Sequence, residues 1–247
     1  NVEYPYWNPD KDDGGIFYRV KASYHEPARR AGEVIMFHDP LDYSTLGRRA
    51  WTYLPGQRRV RLAPSVAFDT PNPSTGGAST YDDPFLFMGS MERYNFKLLG
   101  KKEMYVPYNT YKLNYQSTVA DVFKPNHVNP DWVRWELHRV WMVEATLAEG
   151  KRHIYSKRVF YLDEDSWQIV ANDQYDMRGQ LYRAGFAFPS PSYDVPAMMA
   201  LPHSSYDLIS GLYLVNFYFA ESGGFRYIAP KPDREWLSDT LSGGGLR

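Results

Sequence analysis

The 247 residues include no cysteine. That excludes disulfides, thiolate metal sites and thiol catalysis. No sign of charge predominates either, since 28 Lys and Arg stand against 29 Asp and Glu, for a net charge of −1. A general polyanion binder carries a basic excess, so nucleic acid is not an expected partner. No apolar run reaches the roughly 18 residues a membrane-spanning helix needs. The longest stretch, 208–220, is interrupted by Ser210, Gly211 and Asn216. The dinucleotide fingerprint, the phosphate loop, the nucleophile elbow and the HExxH zinc motif are all missing. No cofactor, no metal and no catalytic residue is therefore assigned.

Aromatic residues, by contrast, are abundant: 21 Tyr, 13 Phe and 7 Trp. Such side chains favour strands and line sites for apolar ligands. Alternation with a period of two recurs along the chain. Short strands are expected at 17–22 and 34–37. The stretch WTYLPGQRRVRLAP, residues 51–64, predicts a hairpin turning at Pro55-Gly56. In its simplest register Trp51 faces Val60, Tyr53 faces Arg58 and Arg49 faces Leu62, with a longer loop or bulge as the alternative because a type II turn splays a two-residue hairpin. Residues 64–83 form a Pro/Gly/Ser/Thr-rich loop, and Asp83-Pro84 predicts an N-cap and first turn for a short helix to Met91. Two strands are expected to meet at Gly100, and 120–132 reads as loop. Long strands follow at about 132–147, 153–163, 166–176, 180–188 and 205–220.

This pattern predicts a mainly β fold with a few short helices, built on a strongly curved antiparallel sheet of half-barrel or incomplete-barrel form. The organisation expected is one domain over 1–247: a loop-rich part at 1–47, an antiparallel meander at 48–220 and a C-terminal tail at 221–247. A curved sheet has an inner face to fill, with its own aromatics, a helix or an apolar ligand.

The charged residues give weaker leads. Asp163-Glu164-Asp165 at a hairpin tip reads as a solvated turn, although a glycosidase would need such carboxylates at a defined separation. His138 and His153 lie on adjacent strands and could be neighbours, but solvated or hydrogen-bonded strand histidines are the expected reading. Arg48, Arg49, Arg58, Arg59 and Arg61 cluster in sequence, which fits structural ion pairs first and contact with an anionic head group or a partner second. Arg49 and Arg58 are the candidates for that contact.

The stretches WTYLPGQRRVRLAP, DTPNP, ERYNFKLLGKKEMYVPYNTY and RWELHRVWMVEATLAEGKRHIYSKRVFYLDEDSWQIVANDQYDMRGQLYR resemble the DUF1329 family, Gram-negative envelope proteins of unknown function. The resemblance spans about residues 45–220. It implies similarity in fold to the lipoprotein carriers LolA and LolB, an incomplete barrel around a hydrophobic cavity. It also implies that this chain is the C-terminal portion of a longer protein, located in the periplasm, with a possible outer-membrane association. It suggests lipid traffic alongside envelope transport proteins, including exporters of the RND type. No catalytic residue carries over. The function expected is thus non-enzymatic binding or carriage of a lipid or other hydrophobic small molecule. The alternatives are an adaptor subunit of an envelope complex and a lipid- or glycan-acting hydrolase using Asp163 or Asp165. The candidate lining comprises Trp51, Tyr53, Val60, Leu62, Trp135, Leu137, Trp141, Val143, Phe160, Leu162, Trp167 and Ile169.

Overall fold

A computed structural model describes residues 2–5, 14–63, 68–72, 75–200 and 202–242. The chain divides into two compact units, residues 1–67 with 228–247, and residues 68–227. The fold is mainly β, with antiparallel sheets that do not close into a barrel.

The first unit is a five-stranded antiparallel sheet in sequence order: β1 (Val2–Glu3), β2 (Ile16–Ser23), β3 (Val34–Pro40), β4 (Arg49–Leu54) and β5 (Arg59–Leu62). The hairpin between β4 and β5 has a longer loop than the simplest register assumes. Residues Pro55–Gln57 form a 3-10 turn, and Arg58 takes a left-handed φ of 48° to close it. The longer loop shifts the register, so Trp51 pairs with Leu62 and Tyr53 with Val60. Trp51, Tyr53 and Val60 pack with the buried side chains Val34, Met36, Trp236 and Leu241. Within the C-terminal tail expected at 221–247, Trp236 and Leu241, from two short 3-10 helices, complete this core. Arg48 bonds Asp39 with two nitrogens, at 2.6 and 2.9 Å. Burial pushes His38 down to about 4, with the positive charges of Arg19 and Arg49 acting in the same direction.

The second unit holds a seven-stranded antiparallel sheet. Its strands are β6 (Tyr94–Pro107), β9 (Trp135–Leu147), β10 (Lys157–Asp163), β11 (Ile169–Tyr175), β12 (Leu181–Ala187), β15 (His203–Asp207) and β16 (Tyr213–Asn216), side by side in that order. Two small hairpins complete the strands, β7 (Phe123–Lys124) with β8 (His127–Val128), and β13 (Ser190–Ser192) with β14 (Ala197–Met199). The single meander expected over 48–220 is thus two separate sheets, because β4 pairs with β3 and β5 with β4, and neither pairs with β6.

Four further expectations are corrected. Gly100 is no turn: β6 runs straight through it, and a register shift between Leu98 and Gly100 makes a bulge there, with Gly100 at φ 116°. A bulge glycine and a turn glycine look alike in sequence because both need φ > 0. The strand expected at 205–220 is a hairpin, β15 and β16, turning at 208–212. The loop expected at 120–132 carries a short helix, α1 (Val119–Val122), capped reciprocally by Thr118 and Asp121, as well as β7 and β8. The helix expected at 84–91 shrinks to a 3-10 turn, Pro84–Leu86, whose Phe85 and Leu86 have φ of 56° and 65°. Asp83 makes no cap there, because its carboxylate is spent elsewhere. Part of the predicted 64–83 loop, at 64–67 and 73–74, lies outside the described residues.

Candidate functional site

The face of the seven-stranded sheet that carries the odd-numbered residues of β9 is assembled from strand register. Partners directly opposite in a sheet share a face. One row across it reads Phe96, Ala145, Arg158, Gln174, Arg183 and Asp207. The next reads Leu98, Val143, Phe160, Asn172, Gly185 and Ser205. A third reads Lys101, Trp141, Leu162 and Ile169, where a bulge after Tyr161 lets Ile169 share this face while Val170 is buried in a different cluster. The face therefore has two halves, polar over β10 to β15 and apolar over β6, β9 and the ends of β10 and β11.

The polar half is closed by the chain itself. Residues 75–93 form a strap across it. Asp82 receives Arg158 Nη2 on both carboxylate oxygens at 2.8 Å, and its Oδ2 lies 3.1 Å from His153 Nε2. Asp83 accepts from Tyr155 Oη at 2.9 Å and from Gln174 Nε2 at 2.6 Å. Arg183 donates to Asp207, to Tyr155 Oη and to the Gly77 carbonyl. Asn172 Nδ2 donates to the Leu86 carbonyl, and Ser205 Oγ to that of Ala78. The side chains of Asp82, His153 and Arg158 are wholly buried. Burial alone would raise the Asp82 carboxyl, but the Arg158 guanidinium and His153 outweigh it and hold the group well below the usual carboxylate range.

The apolar half stays open. Phe87 at the end of the strap packs on Phe160, Tyr94 and Phe96 and marks the border. Beyond it, Val143, Leu162 and Ile169 are partly buried against Tyr94, Ala145 and Phe160. Trp167 stands on a left-handed residue (φ 58°) in the β10–β11 turn, and its ring stacks on Trp141 at 6.4 Å. Lys101 Nζ lies 4.2 Å over the Trp141 ring. Leu98 and Leu137 are 60% and 57% exposed and Trp167 is 66% exposed. These make one apolar strip with free access from solvent.

The proposed lining residues thus scatter. Leu137, Trp141, Val143, Phe160, Leu162, Trp167 and Ile169 share the strip or its floor. Trp135 lies at the start of β9, edge-on to Phe186 at 5.5 Å. Trp51, Tyr53, Val60 and Leu62 belong to the first unit, where Leu62 is exposed and the other three pack on its core. Arg49 and Arg58 are exposed in the same unit. Phe96, Leu98 and Lys101 were missed because β6 reads as two broken strands, although the alternation of Phe96 and Leu98 was visible on the near side of Gly100.

His138 and His153 are not neighbours. His153 joins Asp82, while His138 Nδ1 lies 2.7 Å from Asp163 Oδ1 and its ring packs on Tyr108 at 4.0 Å. Nor is Asp163 a solvated turn residue. It is buried, its Oδ2 accepts from Ser166 N, Ser166 Oγ and Tyr108 Oη, and it shapes the turn that presents Trp167. Burial raises its carboxyl, but the Ser166 bonds and His138 lower it further, so it stays ionised and is unsuited to donate a proton as a general acid. His138, Asp163 and Asp165 each bring one ligand-type atom within 4.8 Å of the others. Both Asp163 oxygens, however, already serve the hydrogen bonds just named.

Among the described residues no helix is long and apolar enough to cross a membrane. An uncharacterized protein of Pseudomonas aeruginosa is 44% identical over 209 residues, which are 84% of this chain and 46% of that protein, so the chain spans about half of its relative's length. A crystal structure from Vibrio parahaemolyticus, provisionally named as an outer membrane lipoprotein-sorting protein domain, is similar in fold. It has a TM-score of 0.63 at 16% identity, covering 94% of this chain and 80% of that one. A DUF1329 family protein from Desulfovibrio piger gives a TM-score of 0.62 at 15% identity, over 94% and 79% of the two chains. The family model described as a protein of unknown function, DUF1329, matches residues 1–244, and the chain belongs to that family.

Proposed function

We propose that this chain is a non-enzymatic periplasmic protein that binds or carries a lipid or other hydrophobic molecule, and that the apolar strip on β6, β9, β10 and β11 is where the ligand lies. One observation carries the reading. Trp141, Val143, Leu162, Trp167 and Ile169 line up on a single face that the strap leaves uncovered, next to a half that the strap closes with buried charge. A soluble protein rarely leaves a contiguous apolar surface open without a use for it. The likeness in fold to a domain provisionally named for outer membrane lipoprotein sorting supports the same reading. Envelope lipid traffic, with an RND-type exporter as partner, is the setting the family resemblance suggests.

Contact of an acyl chain with the strip removes apolar area from water at about 25 cal/mol per Å², or about 0.8 kcal/mol per methylene. Saturated fatty acids of increasing length should therefore bind with affinity rising about fourfold per methylene, until the strip is filled. Fluorescent fatty-acid displacement measures this, and Trp141→Asp with Val143→Asp should abolish it. Affinity independent of chain length, or unchanged in the double variant, would sink the proposal.

A further inference from the structure

The outermost strand of the sheet, β6, presents two features that conflict if its partner is another strand. It is 14 residues long, lies at the sheet edge and is exposed from Asn95 to Tyr105 apart from Gly100 and Met104. Long edge strands invite pairing with another chain, and proteins block this with lysines and bulges. Strand β6 carries both devices: Lys97, Lys101 and Lys102, and the bulge between Leu98 and Gly100. A strand built against pairing has no reason, on that account, to expose large apolar side chains. Yet Leu98, Leu99 and Tyr105 are 60%, 43% and 66% exposed, and Leu137 opposite Tyr105 on β9 is 57% exposed. Trp167, 66% exposed, lies at the same rim.

Apolar side chains with Trp and Tyr among them, interspersed with lysines, match a different partner. At a bilayer surface Trp and Tyr settle at head-group level, leucines enter the acyl boundary, and lysines meet anionic lipid. The charge balance agrees. Four cations (Lys97, Lys101, Lys102 and Arg139) stand with three acids, Glu103, Glu144 and Glu164, on this edge, a local excess of one positive charge in a chain that is net −1 overall. We infer that the β6 edge is a docking surface for an anionic lipid bilayer, which the sheet touches along this strand. The edge shares Leu98, Leu137 and Trp167 with the strip, but Lys97, Leu99 and Lys102 belong to the edge alone, and the test is placed on these three.

The test is partition of the full chain onto vesicles of phosphatidylcholine, alone or with about one third phosphatidylglycerol. The chain should sediment with the anionic vesicles, not with the neutral ones, and be released at roughly 0.5 M salt, where the screening length falls to about 4 Å. Each lysine at an anionic surface contributes roughly a fivefold factor, so Lys97→Gln with Lys102→Gln should weaken partition about twentyfold or more. Leu99→Asp should weaken it by at least about tenfold. All three side chains are exposed, and unchanged circular dichroism and melting show that the variants fold. Equal partition onto neutral vesicles, no partition, or full partition by the variants overturns the inference. So does a dimer of the wild-type chain that the same substitutions dissolve, since that would assign the edge to strand pairing. Vesicle partition that survives while chain-length-dependent fatty-acid binding fails would support the docking surface and remove the carrier reading.

Discussion

Asp82 and Arg158 are the residues on which the closed half of the sheet depends. Two unit charges taken wholly out of water are tolerable only while both are present. Replacing Asp82 by Asn keeps the shape and leaves the buried guanidinium with only the longer contact to Asp83 at 3.5 Å, and should cost about 3 kcal/mol of unfolding free energy. Arg158→Met should cost a similar amount alone, while the double variant should cost clearly less than the sum of the two, because neither charge is then left without its partner. Urea unfolding of the four proteins measures the cycle, and simple additivity would show that the pair is not coupled. The acid limb follows from the same group. Asp82 is held below its unfolded value of about 4, so near and below that pH the unfolded chain takes up a proton that the folded chain refuses. The stabilisation from Asp82 is complete above about pH 4 and is lost as pH falls toward its folded value, and Asp82→Asn should remove this part of the acid dependence. Little of this was legible in the sequence. Arg158 follows Lys157, Gln174 follows Asp173 and Arg183 stands between Tyr182 and Ala184, so nothing local marks them as inward-facing. Only their partners on the strap, distant in the chain, reveal that they face inward.

At the scale of elements, the strap and its sheet meet most closely at Gly185. A methyl group there would come within 2.7 Å of Asn172 Oδ1, 2.8 Å of Leu86 Cδ2 and 3.0 Å of the Ser204 carbonyl. The last is backbone and cannot swing away. Gly185→Ala should therefore cost about 1–3 kcal/mol and loosen the strap, visible as a lower melting temperature and faster proteolysis within 75–93. Unchanged melting and cleavage would mean that the strap is not seated on the sheet as described. The elements themselves were readable to unequal degrees. Strands β9 to β12 declare themselves by alternation and by the turn residues between them. The strap does not, because a Pro/Gly/Ser/Thr segment has the same composition whether it is solvated or seated on buried arginines. Strand β6 was split at Gly100 for want of any local sign that a positive φ there serves a bulge. With that strand broken, the β6 side of the strip, Phe96, Leu98 and Lys101, and the exposed edge were invisible.

For the molecule as a whole, the order of the chain separates the two units by consequence. Residues 68–227 are continuous and contain every residue of the apolar strip, whereas the first unit is assembled from both ends of the chain. Its core under β3 and β4 depends on Trp236 and Leu241, which are 3% and 0% exposed and reach Val34 and Met36 from the C-terminal side. Deleting a buried Trp and a buried Leu removes roughly 3–5 and 2–5 kcal/mol respectively, comparable with the whole stability of a small domain, about 5–15 kcal/mol. A chain cut after Tyr227 should therefore lose the five-stranded sheet while keeping the seven-stranded one. Hydrogen exchange should show protection disappearing from 16–62 and persisting in β9 to β12. A fragment of residues 68–227 should still bind fatty acids within about threefold of the full chain, since an apolar surface that is preformed needs no further ordering to take its ligand. If the fragment folds but does not bind, the apolar strip alone is not the site.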